Sequence, residues 1–145
     1  MDFFSSMNVS ASALSAERTR MNLISGNLAN ANTTRTPEGG PYKRKDAVFS
    51  AVPLDKTFDR TLDGAAGPQV RQVQVSQIVE DQNPPRTMYD PSHPDANPQG
   101  YVAMPNVNVI EEMADMLTAS RAYEANVTAV QAAKSMALKT LEISK

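Results

Sequence analysis

Apolar residues repeat at helical spacing over long stretches only at the two ends of the chain. Near the start, Met7, Leu14, Met21 and Leu28 recur every seven residues, and Phe3, Ile24 and Ala31 partly fill a companion row that also holds polar Ser10 and Glu17. A thin stripe of this kind predicts an amphipathic helix over about residues 4–31. It should fray at Asn30-Ala31-Asn32-Thr33-Thr34, where short polar side chains compete for backbone hydrogen bonds, before Thr36-Pro37 forces extended backbone. Toward the other end, Asn108 is placed to cap the free N–H groups of a second helix, and Glu111 and Glu112 suit the positive end of its dipole. That helix carries a main stripe of Val109, Met113, Met116, Tyr123, Val127, Val130, Ala137 and Leu141 beside a row of Ala122, Ala125, Ala129, Ala132 and Met136. Alanine is the best helix former, which accounts for such a row by itself; the smooth surface also suits close packing against more than one neighbour.

Between the ends the pattern changes. All ten prolines lie from Pro37 to Pro105, with five of the six glycines, so backbone chemistry divides the chain into residues 1–36, 37–105 and 106–145. Formal charges of +1, −2 and −1 do not separate the three parts. In the middle, Val70 to Val79 alternates imperfectly and predicts a strand; Tyr42 to Val52 is a second β candidate. Leu62 to Pro68 has the composition of a turn, and the proline-rich stretch from Asn83 to Pro105 predicts an irregular arm with polyproline-like pieces rather than a strand.

A compact unit of 69 residues has a diameter of roughly 28 Å, whereas a helix of about 35 residues runs to about 50 Å, so the C-terminal helix must overhang the middle. Two helices with apolar stripes pair most simply with each other, antiparallel or parallel. The expected fold class is therefore α+β, with long N- and C-terminal helices paired as a coiled coil and a small β-rich and loop-rich middle. Glu17, Arg18, Ser120 and Lys134 interrupt the stripes, and a two-helix pair buries one face of each member, so such a pair alone is marginal. The termini are expected to reach full order only on assembly with neighbouring subunits.

Composition narrows function mainly by exclusion. At 145 residues and 15.7 kDa, 41% apolar and 21% charged, the chain has the size and balance of one folding unit. A net charge near −2 gives no nucleic-acid surface, and no run of about 20 apolar residues allows direct membrane insertion. The first residues lack the basic and apolar regions of a cleaved signal, and the absence of cysteine removes disulfides and thiol chemistry. The sole histidine, His93, sits in Asp90-Pro91-Ser92-His93-Pro94-Asp95, but one imidazole and two carboxylates make neither a metal centre nor a general acid–base site. Gly39-Gly40 lacks the Lys-Ser/Thr of a phosphate loop, and Glu80 and Asp81, adjacent on a strand, would point to opposite faces. Neither an enzyme nor a cofactor is expected. Lys43-Arg44-Lys45 suits a solvated strand edge, and Met113 and Met116 suit helix core.

Ser25-Gly26-Asn27-Leu28-Ala29-Asn30-Ala31-Asn32-Thr33-Thr34 resembles the N-terminal signature of the bacterial flagellar axial proteins of rod and hook, an Asn-x-Ala-Asn-x-x-Thr pattern matched here by Asn27, Ala29, Asn30 and Thr33. Four further segments are similar to the proximal-rod branch of that family. They are Gly39 to Lys45, Tyr89 to Ala96, Gly100 to Asn108 with Pro105, Asn106 and Asn108, and the last helix with Glu112 to Met116, Arg121 to Asn126 (Tyr123, Glu124 and Asn126 among them) and Lys134 to Met136. The resemblance implies a structural subunit of the proximal rod of the basal body, transmitting torque to hook and filament, periplasmic, and exported uncleaved through the flagellar type III apparatus. It implies as partners other rod subunits (FlgB, FlgF, FlgG), FliE and the inner-membrane ring, and further copies of the chain. Interior assembly packing is then expected of Met7, Leu14, Met21, Ile24, Leu28, Met113, Met116, Tyr123, Val127, Val130 and Leu141, with Asn27, Asn30 and Asn106 as hinges or caps. The alternative from the residues alone is a secreted coiled-coil adaptor or effector that grips a partner protein.

Overall fold

The structure, a computed structural model, describes residues 3–54 and 70–143. Its elements run α1 (Phe3–Ala29), β1 (Lys45–Pro53), β2 (Arg71–Glu80), β3 (Arg86–Tyr89), β4 (Tyr101–Met104) and α2 (Val109–Ile143). The fold is α+β: two long helices and two small antiparallel sheets, β1–β2 and β3–β4. The expected turn from Leu62 to Pro68 lies outside the described residues. No described helix is long and apolar enough to cross a membrane.

α1 ends where short polar side chains take over its last carbonyls. Asn30 Nδ2 donates to the Gly26 carbonyl at 2.9 Å, and Thr33 Oγ1 donates to Asn30 Oδ1 at 3.1 Å. The chain then turns through Gly39 and Gly40, whose φ of 89° and 80° fall in the left-handed region that suits glycine. It returns so that the Tyr42 N–H meets the Thr33 carbonyl at 3.0 Å, which aims the start of β1 back at α1.

β1 and β2 pair from Lys45 opposite Glu80 to Pro53 opposite Arg71, with a register shift at Val48/Phe49. The sheet lies on α1. The Val73 N–H donates to Ser12 Oγ at 3.1 Å, that hydroxyl donates to the Val9 carbonyl at 2.7 Å, and the Arg20 guanidinium sits 4.4 Å from the centre of the Phe49 ring.

The arm expected between Asn83 and Pro105 is instead a hairpin, β3–β4, with Arg86 opposite Met104 and Tyr89 opposite Tyr101. The prolines of this stretch all fall outside the two four-residue strands, so none removes a ladder donor. Asn97 Oδ1 closes the connection by accepting from the N–H groups of Gln99 (3.0 Å) and Tyr101 (2.9 Å). Gly100 has a φ of 82°, and a Cβ there would lie 2.9 Å from the Tyr89 ring, which stacks edge-on against Tyr101 at 5.3 Å.

α2 opens as expected, with Asn108 Oδ1 accepting from the Ile110 N–H at 3.2 Å. A covered row runs through Glu112, Met116, Ala119, Tyr123, Asn126, Val130, Ala133 and Ala137, alternating four and three residues apart, with Ser120, Ala122 and Val127 half-buried beside it. These face α1, whose deepest residues are Ser5, Ala16, Ile24 and Asn27. Small side chains, Ser5, Ala16, Ala119 and Ala133, thus share the deepest positions with Ile24, Asn27 and Glu112, while the bulkier Met7, Leu14, Met21 and Leu28 are half-buried. The two helices run antiparallel. Asn27, near the end of α1, bonds Glu112 in the first turn of α2, and Arg20 and Leu23, earlier in α1, share a groove with Asp115 and Thr118, later in α2. Counting back from that contact, the last two turns of α2 extend roughly 10 Å past the start of α1.

Candidate assembly site

A buried polar junction joins three parts of the chain at the open end of α1. Asn27 is helical, 0% exposed, and uses its whole hydrogen-bonding capacity. Its Nδ2 donates to the Lys45 carbonyl at 2.9 Å and to Glu112 Oε2 at 3.0 Å. Its Oδ1 accepts from the Lys45 N–H and from the Tyr42 hydroxyl, both at 2.9 Å. The amide therefore pairs with the backbone N–H and C=O of one residue of β1, Lys45, as a neighbouring strand would, and tethers α2 with its remaining hydrogen. Asn27 is neither hinge nor cap; it is a node.

Glu112 is 1% exposed and carries the second half of the junction. Arg44 Nε donates to its Oε1, while the same guanidinium reaches Asp46 at 3.3 Å and Asp115 at 3.8 Å. Burial alone would lower the pKa of Arg44, but its hydrogen bond to Glu112 and the charges of Glu112 and Asp46 outweigh that and hold it above its ordinary value. The cation stays charged beside a carboxylate that has no other counter-ion among the described residues. Around the pair lies an open groove of about 260 Å³, lined by Arg20, Leu23, Ile24, Asn27, Lys45 and Thr118 with the charged groups already named. Its cations, Arg20, Arg44 and Lys45, already pair with carboxylates or a ring face.

Burial also raises the Tyr42 hydroxyl above the usual phenol range; Lys45 opposes this, and Glu112 and Glu80 add to it. A folded-state value above the unfolded one means that its contribution is complete below the unfolded value and is lost as pH rises through the folded one. Tyr42→Phe should therefore cost about 1 kcal/mol near neutral pH, with the difference from wild type shrinking above about pH 10. Urea unfolding of both proteins at the two pH values measures this.

The residues expected from sequence fall into three groups. Ile24, Met116, Tyr123, Val127 and Val130 are buried or half-buried, as are Met7, Leu14, Met21 and Leu28. Met113 and Leu141 are exposed in the single chain, at 56% and 66%, as are Ala29, Asn108 and Glu124. Among the motif residues, Asn27, Asn30 and Thr33 hold the end of α1, Asn108 caps α2, Pro105 is buried, Asn106 is half-buried, and Asn126 Nδ2 bonds back to the Ala122 carbonyl at 2.9 Å. Sequence patterns assign no role to Tyr42, and they put Arg44 on a solvated edge and Glu112 at a helix dipole. The available signal is the position of Glu112, four residues before Met116 and seven before Ala119, on the covered row of α2. His93 stays within its own turn, its Nδ1 accepting from the Asp95 N–H at 3.1 Å.

Comparison with known proteins matches both ends. Residues 7–35 fit the family described as flagella basal body rod protein, and residues 99–143 the one described as flagellar basal body rod FlgEFG protein C-terminal. Along nearly the whole length, the chain is 45% identical to the flagellar basal-body rod protein FlgC of Bacillus subtilis, covering 100% of both chains. It is 43% identical to FlgC of Borreliella burgdorferi, over 99% of this chain and 98% of that one. Against FlgC of Salmonella typhimurium the identity is 38%, over 95% of each.

Proposed function

Because this chain belongs to the FlgC family of flagellar basal-body rod proteins, we propose that it builds the proximal rod by completing its helix pair with helices of neighbouring subunits, as a coiled coil that transmits torque to hook and filament. It is a structural subunit of the basal-body rod and not an enzyme, and it associates with other rod components. The observation that carries the finer reading is the outward apolar surface of α2: Ile110, Met113 and Leu117 are 79%, 56% and 62% exposed in the single chain. Large side chains at i, i+3 and i+7 left in water lose their burial free energy until another surface covers them. Many such small contacts, repeated around a tube, give a stiff shaft without covalent links.

On the same reading the partners are FlgB, FlgF, FlgG, FliE with the inner-membrane ring, and copies of the chain, reached by export through the flagellar type III apparatus. Leu14→Asp and Val127→Asp place a charge on half-buried positions of the helix pair, and cells carrying either variant should lack hooks and fail to swim. Swimming assays and electron microscopy of isolated basal bodies decide it. Normal motility in both would remove these positions from the assembly.

A further inference from the structure

We propose that the outward face of α2 in one copy of this chain seats against the outward face of α1 in a second copy, so that helix pairs join side by side in one direction. This rests on the rod-subunit function above and adds which faces meet, and at what register. Every seventh residue of α2 from Ile110 through Leu117, Glu124 and Gln131 is exposed, and so is every seventh residue of α1 from Asn8 through Ser15, Asn22 and Ala29. Both are straight heptad rows that the fold of the single chain leaves uncovered.

The two rows are complementary in size, height and charge. The bond between Asn27 and Glu112 fixes how the antiparallel helices stand beside each other. Counting away from it in opposite directions, Ala29 stands level with Ile110, Asn22 with Leu117, Ser15 with Glu124 and Asn8 with Gln131. When two copies stand at the same height, α2 of one runs antiparallel to α1 of the next, and these same pairs come opposite each other. Ile110 then rests on the small Ala29, Leu117 on Asn22, and the polar stretches of the rows coincide.

Arg18, exposed and one turn from Ser15, is the charge on the α1 row's side, and it comes within a side chain's reach of exposed Glu124 on α2. Neither forms an ion pair among the described residues. Exposed Arg121 of α2 stands at the same height as Arg18, so it is the small side chains Ala29 and Asn22 opposite Ile110 and Leu117, together with the Arg18–Glu124 exchange below, that distinguish this pairing from one between two α2 rows. The rows overlap over about 32 Å of helix, giving roughly 300 Å² per partner, well below the roughly 800 Å² of a stable pair. The contact is heterologous, so it propagates instead of closing on two copies, and it holds only when repeated.

The absence of cysteine makes cross-linking selective. Full-length chains carrying Asn22→Cys and Leu117→Cys are mixed, purified and concentrated, and also co-expressed for isolation of basal bodies. The expected product is a disulfide-linked species of twice 15.7 kDa that forms only when both variants are present. Adding Arg18→Glu should lower its yield about tenfold, and adding Glu124→Arg as well should restore most of it. Linkage by Leu117→Cys alone, a product of another mass, or no product at high concentration would overturn the docking. The purified mixture is sufficient to decide between these outcomes. Failure to find the chain in basal bodies would instead strike the rod function.

Discussion

Asn27→Leu should destabilise the purified chain by about 3 kcal/mol or more, although it adds apolar volume to a buried helix position. The side chain makes four hydrogen bonds, and their partners differ in what they do when it is gone. The Tyr42 hydroxyl and the Lys45 peptide are half-buried and can recover some solvent, whereas Glu112 Oε2 belongs to a residue 1% exposed and loses a donor that water cannot replace cheaply. A buried polar group left unsatisfied costs roughly 1 to 3 kcal/mol, and the substitution also releases the start of β1 from α1. Against a typical total of about 5 to 15 kcal/mol this is a large fraction. Asn22→Leu, five residues earlier on the exposed face, should change stability by no more than about 0.5 kcal/mol. Urea denaturation followed by far-ultraviolet circular dichroism gives both values, and equal effects at the two positions would mean that the junction does not hold the three parts together.

The contrast between these two asparagines shows what sequence patterns reveal here and what they do not. Hydrophobic spacing and proline placement locate both helices and both long strands to within a few residues, because these depend on local periodicity and on backbone chemistry. The hairpin β3–β4 escapes because proline density argues against strands while the prolines sit in the turns around them, a matter of position rather than of count. The row facing the partner helix differs by a few positions from the apolar stripe for another reason. Large apolar residues mark a stripe in sequence, but of the deepest sites on the two helices only Ile24 is one of them; Ser5, Ala16, Ala119 and Ala133 are too small to leave a hydrophobic signal, and Asn27 and Glu112 are polar. The junction is harder still to foresee. Asn27, Tyr42, Arg44 and Glu112 lie up to 85 residues apart, and their contacts exist only once the middle has brought β1 back along α1.

Arg44 and Glu112 should respond to substitution asymmetrically. Arg44→Met leaves a carboxylate that is 1% exposed with Asn27 as its remaining side-chain partner and no cation, and the expected loss is about 3 to 5 kcal/mol. Glu112→Met leaves a guanidinium whose side chain is 28% exposed and which still has Asp46 and Asp115 nearby, so its loss should be smaller, about 1 to 2 kcal/mol, most of it from the donor orphaned on Asn27. The double variant then separates two accounts of why the pair is there. If the ion pair mainly compensates for its own desolvation, Arg44→Met/Glu112→Met should sit close to Glu112→Met alone, recovering most of the stability lost in Arg44→Met. If instead Arg44 contributes by packing its aliphatic stem along the strand, the methionine keeps that packing and Arg44→Met itself should be mild. A double-mutant cycle of the four proteins in urea, with circular dichroism to confirm that each remains helical, distinguishes them. Equal losses for the two single variants would refute the idea that burial of the carboxylate, more than the pairing itself, sets the cost.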